Sequence, residues 1–386
     1  MPVSLKLDIS PAVIDWALRY VRNSRTEKKL LLWKSGDKKP TLKQIEELSR
    51  ELHLPFANFL LPAPLPENIP LLEYRTIESL ELSEPSRELV DTIQHMARVQ
   101  DWMHDYLLSN ASDKLPFVGC LSASSNEKET ADTIRATLEI NANWQKHISK
   151  DMTPFNFFRE RIENIGVVVM INGIVANNTH RALDSGEFRA FAMINDYAPL
   201  IFINSNDSES GKLFSLLHEA AHIFLGSNSL FNANDIQNIS NPVEKLCNSV
   251  AAEILVPKDI FVSAWQTEQD SEAQIDKLSK EFKCSTIVIA RRALDSRLIN
   301  KELYDAVYNT SREQYLASKE RQKQQGSGGD YYNVLKSRIS GNFFATLENA
   351  LCEGKVTYTD AYRLTNTNGK TFNELIKTIR GVDYIK

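Results

Sequence analysis

The chain has 386 residues, a formal net charge of -5, 42% hydrophobic and 25% charged residues. These are ordinary globular values, which exclude wholesale disorder and give no global attraction to nucleic acid or to an anionic membrane. Two or three domains are expected at this length. Cys120, Cys247, Cys284 and Cys352 form no C-x-x-C pair, so neither a disulfide framework nor a cysteine-based zinc site is expected. No apolar run approaches the roughly 20 residues of a membrane span, and the N-terminus lacks a basic region before an apolar stretch. A cytoplasmic protein with no membrane partner is the simplest reading.

Ser10-Pro11 opens a first helix over Ala12 to Val21, with Val13, Trp16, Ala17 and Tyr20 at helical spacing. Pro40-Thr41 opens a second, carrying Ile45, Leu48 and Leu52. Pro62, Pro64, Pro66 and Pro70 then read as a stiff joint. A longer helix is expected from Glu84 to Leu108, and another from Pro154 to Asn164. The period then changes. Gly166 to Ile171 is β-branched, and Phe188 to Ile194 and Leu200 to Ile203 form a hairpin across Asn195-Asp-Tyr-Ala-Pro199. Helices return over Gly211 to Leu225 and Pro242 to Leu255. Lys319 to Asp330, with its Gly-Ser-Gly-Gly, reads as a flexible linker before a small helical tail.

The chemistry concentrates at His218-Glu219-Ala-Ala-His222. One helical turn separates the histidines, so both imidazoles leave one face and can meet one Zn²⁺, while Glu219 can serve as general base. The helix around them is almost wholly apolar and should be buried. Unpaired polar groups there would be costly. The competing reading is a pair of core histidines bonded to backbone. A catalytic zinc takes a third protein ligand, and no histidine follows His222. Glu244, in the first turn of the next helix, is assigned that role. Asn248, one turn on, is assigned to orient a ligand imidazole. Glu253 and Asp235 are rivals, and the bland reading of Glu244 is a helix N-terminal acid favoured by the dipole. Cys247, three residues after Glu244, is a potential fourth donor that also reads as a small buried hydrophobe.

These residues resemble the ImmA/IrrE metallo-endopeptidases. The zinc helix of that family is similar to Phe214 to His222, and its second signature to Glu244-Lys-Leu-Cys-Asn248-Ser-Val-Ala-Ala-Glu-Ile-Leu-Val-Pro257. The strand pair Arg189 to Met193 and Pro199 to Asn204 is also similar. Upstream, Trp33 to Leu48, Leu54 to Pro62 and Glu73 to Thr76 resemble the long members, which begin with an Xre-type helix-turn-helix. The stretch from Tyr20 to Trp33 is too short for both a positioning and a recognition helix. Arg19 to Lys39 nevertheless carry eight Lys or Arg. DNA binding is therefore weighed against, and set behind, a vestigial module that docks a partner.

The resemblance implies an α+β fold. A zincin-like metallopeptidase domain, with a small mostly antiparallel sheet packed on the zinc helix, would be flanked by helical N- and C-terminal domains. The expected division is 1–62, a degenerate helix-turn-helix-like module; 63–115, the joint and connecting helix; 116–318, the peptidase; 319–330, the linker; and 331–386, the tail. The implied function is zinc-dependent cleavage of a helix-turn-helix repressor or similar regulator encoded nearby, in a mobile-element or toxin–antitoxin-like setting, the site staying latent until activated. The alternative is an antitoxin-like or DNA-binding transcription regulator whose zinc domain is sensory or inactive. Tyr197 and His180 are candidates to stabilise the transition state. The strand bearing Phe191 and Met193 is the candidate edge for pairing with an extended substrate.

Overall fold

The computed structural model describes residues 6–67, 69, 71, 85–231, 241–266, 270–325 and 330–380. The chain divides into two units, Met1–Pro70 with Leu82–Asp91, and Leu71–Glu81 with Thr92–Lys386.

In the first unit, α1 (Pro11–Leu18) takes Pro at its first position after Ser10. A helix that the spacing does not announce follows, α2 (Ser24–Lys34), capped by Asn23, whose side chain accepts from the Thr26 amide at 2.8 Å. Its buried positions, Thr26, Leu30 and Trp33, sit among a run of Lys and Arg that masks them. α3 (Leu42–Leu52) begins with a reciprocal capping box between Thr41 and Gln44. A 3-10 turn, Phe56–Leu60, ends the module. Val13, Ala17, Leu30, Ile45, Leu48 and Phe59 form its core. One helix, not a positioning and recognition pair, lies between α1 and α3.

α4 (Arg87–Ser109) crosses the unit boundary, and from Thr92 belongs to the second unit. The chain continues through α5 (Glu127–Thr137), α6 (Pro154–Asn164), β1 (Val168–Asn172), β2 (Ala190–Met193), β3 (Leu200–Asn204), α7 (Glu209–Leu225), β4 (Ser229–Phe231) and α8 (Pro242–Leu255). Helices α9 (Lys258–Ala264), α10 (Ser271–Glu281), α11 (Thr286–Asp295) and α12 (Lys301–Gln325) follow. The tail holds α13 (Tyr331–Arg338), α14 (Gly341–Cys352), α15 (Tyr358–Thr365) and α16 (Gly369–Arg380).

The sheet has the order β1-β3-β2-β4. β1 pairs with β3 in parallel, and β2 pairs antiparallel with both β3 and β4, so the sheet is mixed. The β2–β3 hairpin turns on Asn195, whose Oδ1 accepts from the amides of Tyr197 and Ala198 at 2.9 and 3.0 Å. Gln100 of α4 braces the same turn, donating to the carbonyls of Met193 and Ala198.

The outer edge of β1 is covered by the tail. Arg159 donates to the carbonyls of Val169 on β1 and of Ser337 and Ile339 beside it, and Asn342 donates to the Val167 carbonyl at 2.9 Å. Trp102 meets Phe343 edge-on at 5.8 Å, and His95 bonds Asn366 at 2.7 Å. His95 is thus a contact between α4 and the tail. Residues 319–325, placed in a linker by composition, are the last turns of α12. Lys, Glu, Arg and Gln are good helix formers, and no glycine or proline interrupts them before Gly326.

α7 runs through the core and is fixed at both ends. Ser208 caps it, accepting from the Gly211 amide at 3.0 Å. At the other end Gly226 takes the left-handed conformation, φ 66°. The carbonyls of Ile223, which also accepts from the Gly226 amide, and of Phe224 receive the amides of Gly119 and Leu121 at 3.0 and 2.9 Å. A Cβ on Gly226 would stand 3.0 Å from the Gly119 Cα. Gly226→Ala should therefore cost about 1–3 kcal/mol, read as a lower urea midpoint. Gly354→Ala has the same handedness, φ 68°, but open space around it, and should lose less.

Candidate metal centre

Burial along α7 is nearly complete. Leu213, Leu216, Leu217, Ala220, Ile223 and Phe224 pack into the main core, and among them His218, Glu219 and His222 are 0%, 0% and 1% exposed. Charged or polar groups held so deeply need partners. They come from α8. Asn241 caps that helix and Pro242 sets its first position, which fixes Glu244 in the first turn. Glu244 Oε2 lies 3.1 Å from His218 Nε2, and Oε1 lies 3.2 Å from His222 Nε2. The two Nε2 atoms are 3.1 Å apart.

These three residues form a convergent group, with one ligand atom of each within 4.8 Å of the others. Their spacing fits a tetrahedral cation: donors at 2.0–2.1 Å from one ion stand roughly 3.3 Å from one another. The outward ring nitrogens fit as well. His218 Nδ1 and His222 Nδ1 are buried without a hydrogen-bond partner among the described residues, as is Asn248 Oδ1. With both Nε2 lone pairs on a cation, each Nδ1 carries a proton. Asn248, which favours the charged form of His218, offers the free acceptor for one of them.

Electrostatics follow from the burial and the pairing. Burial lowers the pKa of His218, against the bond to Glu244. At His222 burial also pushes down, but Cys247 and Glu244 more than offset it and the pKa ends well above the usual value. Glu244 would be raised by burial, yet the two histidines hold it far below the ordinary carboxylate range. Burial raises Glu219 to about 7, opposed by the His222 charge and by a hydrogen bond from Ser229.

Ser229 and β4 were not singled out by sequence. β4 is three residues long, too short to show a period, and only its neighbours give it meaning. It returns beside α7 after the turn at Gly226. Ser229 pairs with Ala192 on β2, its hydroxyl donates to Glu219 Oε2, and the Phe231 ring lies 4.1 Å from the His218 ring.

Other expected residues fall elsewhere. The Tyr197 ring packs on His104 at 5.3 Å and under Lys114, at the hairpin tip. His180 is exposed in a loop, its amide bonded to Asn178. Neither is among the residues that converge in the His-His-Glu group of the described residues. Phe191 offers no free edge, because β2 is paired on both sides there, whereas Met193 pairs with Leu200 on the β3 side and lies beyond the β4 pairing. The rival Glu253 points to α9 and α11, accepting from the Lys258 amide and pairing with Arg292 at 3.2 Å. Asp235 lies outside the described residues. Cys247 is 0% exposed and touches the His222 side, but is not part of the convergent group.

The segment holding all of these ligand-bearing elements, residues 162–294, matches the family model of the IrrE N-terminal-like domain, a metallopeptidase family. The chain carries an IrrE N-terminal-like domain. This domain starts on α6 and ends on α11, so the sheet, α7 and α8 all lie within it. Residues 339–378, in the tail docked on β1, match a domain of unknown function, DUF8813. No curated protein matches the chain.

The coupling of His222 to Cys247 and Glu244 in the IrrE-like domain has a measurable consequence for metal-free protein. A histidine whose folded pKa is raised stabilises fully below its unfolded value, about 6.5, and that contribution is lost as pH rises through the folded pKa. Chelator-treated protein should therefore lose stability as the pH rises above about 6.5, read from urea midpoints. Glu244→Gln, which removes one of the two groups that raise His222, should reduce that loss.

Proposed function

We propose that this protein is a zinc-dependent endopeptidase, with His218, His222 and Glu244 as metal ligands and Glu219 as general base. The observation that carries the reading is the convergence of those three donors on one point beside a buried carboxylate, inside a domain of a metallopeptidase family. A bound Zn²⁺ would supply Lewis-acid activation of water and of the scissile carbonyl.

The remaining work falls to the chain's own side chains. Glu219, raised to about 7, is suited to take a proton from the attacking water near neutral pH and to pass it to the departing amine. Glu244 spans both imidazoles and keeps their Nε2 atoms facing one point. Asn248 would hold the His218 ring through Nδ1. The apolar wall of α7 and the Phe231 ring exclude water around the histidines, which strengthens each polar interaction inside.

An extended substrate pairs with β4 rather than β2 in this reading. β4 is bonded to β2 on one side, and its other side has no strand partner among the described residues. The substrate class we propose is a helix-turn-helix repressor or similar regulator encoded nearby. Its support is the resemblance of Trp33 to Leu48 and Leu54 to Pro62 to the long ImmA/IrrE members. A partner-docking role for the N-terminal module is favoured over DNA reading, because one helix stands between α1 and α3. A closed structural zinc site would need a fourth donor, and Cys247 lies outside the convergent group.

Glu219→Gln should bind one zinc per chain as the wild type does and lose cleavage of a co-expressed neighbouring repressor by at least about 10²-fold. Glu244→Ala should lose metal as well as cleavage. Undiminished cleavage by Glu219→Gln would remove this residue from the mechanism.

A further inference from the structure

The general base does not stand alone. Glu219 is fully buried in the middle of α7, and only one side chain bonds its carboxylate among the described residues: the Ser229 hydroxyl, which donates to Oε2. The other oxygen, Oε1, is buried and has no partner among the described residues. Ser229 is itself 2% exposed, and its place is set by register, opposite Ala192 on β2, one residue before Leu230 faces Phe191. The strand reaches that register because the chain reverses at Gly226 directly after α7. The Asn228 side chain also accepts from the Ile194 amide at 2.6 Å. Glu219 is thus tied to β4, whose outer edge has no strand partner among the described residues.

We infer that Ser229 is a positioning residue for Glu219: its hydroxyl fixes Oε2 against β4 and leaves Oε1 as the oxygen that exchanges the proton. The inference rests on the peptidase reading for Glu219 as base. The contact itself does not. A hydroxyl can donate its proton to a carboxylate oxygen while it stays bound to its own oxygen, so Ser229 is unchanged over a turnover. The proton taken by Oε1 from water leaves on the amine nitrogen of the product. A buried carboxylate on a flexible side chain has several rotamers, and one strong donor selects among them. Because that donor sits on β4, a substrate strand that pairs with β4 steadies the base in the same act.

Two readouts test this on the full-length, zinc-loaded protein, comparing wild type, Ser229→Ala and Ser229→Thr. The first is crystallographic. In Ser229→Ala the Glu219 carboxylate should leave its wild-type position or split over two rotamers, with His218, His222 and Glu244 unmoved and zinc content unchanged. Ser229→Thr, which keeps the hydroxyl, should restore the wild-type rotamer. The second is kinetic, using a quenched-fluorescent peptide that the wild type cleaves, chosen from a random-sequence set. Ser229→Ala should lower kcat by roughly 10- to 100-fold with KM unchanged, and Ser229→Thr should recover most of it. A Glu219 carboxylate that keeps its place in Ser229→Ala overturns the inference, as does a loss that appears only in KM or only in stability. If the wild type cleaves neither such a peptide nor a co-expressed neighbouring repressor while Glu219 still moves in Ser229→Ala, the peptidase reading fails and the positioning contact stands.

Discussion

The contact between α7 and α8 is the constraint on which the rest of the structure depends. An apolar helix that carries two imidazoles and a carboxylate at full burial would be unstable alone, since each polar group loses its water. Glu244 answers this by reaching both imidazoles with one carboxylate. The position of Glu244 in turn requires the Asn241 cap and Pro242, which begin α8 where its first turn faces His218 and His222. Stability and chemistry have one source here: the groups that must be paired to be buried are those that converge on a cation-sized space.

Around that contact the two ends of the sheet are treated differently. The β1 edge is covered, with Arg159 and Asn342 binding its outward carbonyls and the tail packed over it. The β4 edge, beside the candidate centre, has no strand partner among the described residues. Covering an edge removes a template for unwanted pairing. An edge without a strand partner among the described residues, next to the proposed base Glu219, suits the proposed uptake of a substrate as an extended strand. The segment that does the covering includes the DUF8813 match, so that segment has at least an architectural role.

Much of the centre was legible in the sequence because helices declare their faces locally. His218 and His222 are one turn apart, as are Glu244 and Asn248, and the caps at Ser208 and Asn241 fix where each helix starts. Glu253 was separable from Glu244 by helical phase alone, and it does serve α9 and α11 instead. What sequence could not supply was set by pairing between distant segments. β4 has three residues and no period, so neither Ser229 on Glu219 nor the internal place of β2 could be read. Phe191 lies inside the sheet, paired with both β3 and β4. Tyr197 at the hairpin tip and His180 in a loop carry no helical or strand phase by which sequence could place them relative to the centre. α2 was missed because its Lys and Arg obscured three buried positions, although Asn23 before Thr26 was a usable capping signal.

X-ray absorption at the zinc edge on the loaded, full-length protein tests the central claim most directly, because it reports the donor atoms without needing a substrate. Two imidazoles with oxygen donors, all in a shell at about 2.0–2.1 Å, is the result expected from His218, His222 and Glu244. A sulfur shell at about 2.3 Å, which would bring Cys247 onto the metal and close the site, would contradict it. So would a protein that holds no zinc after loading.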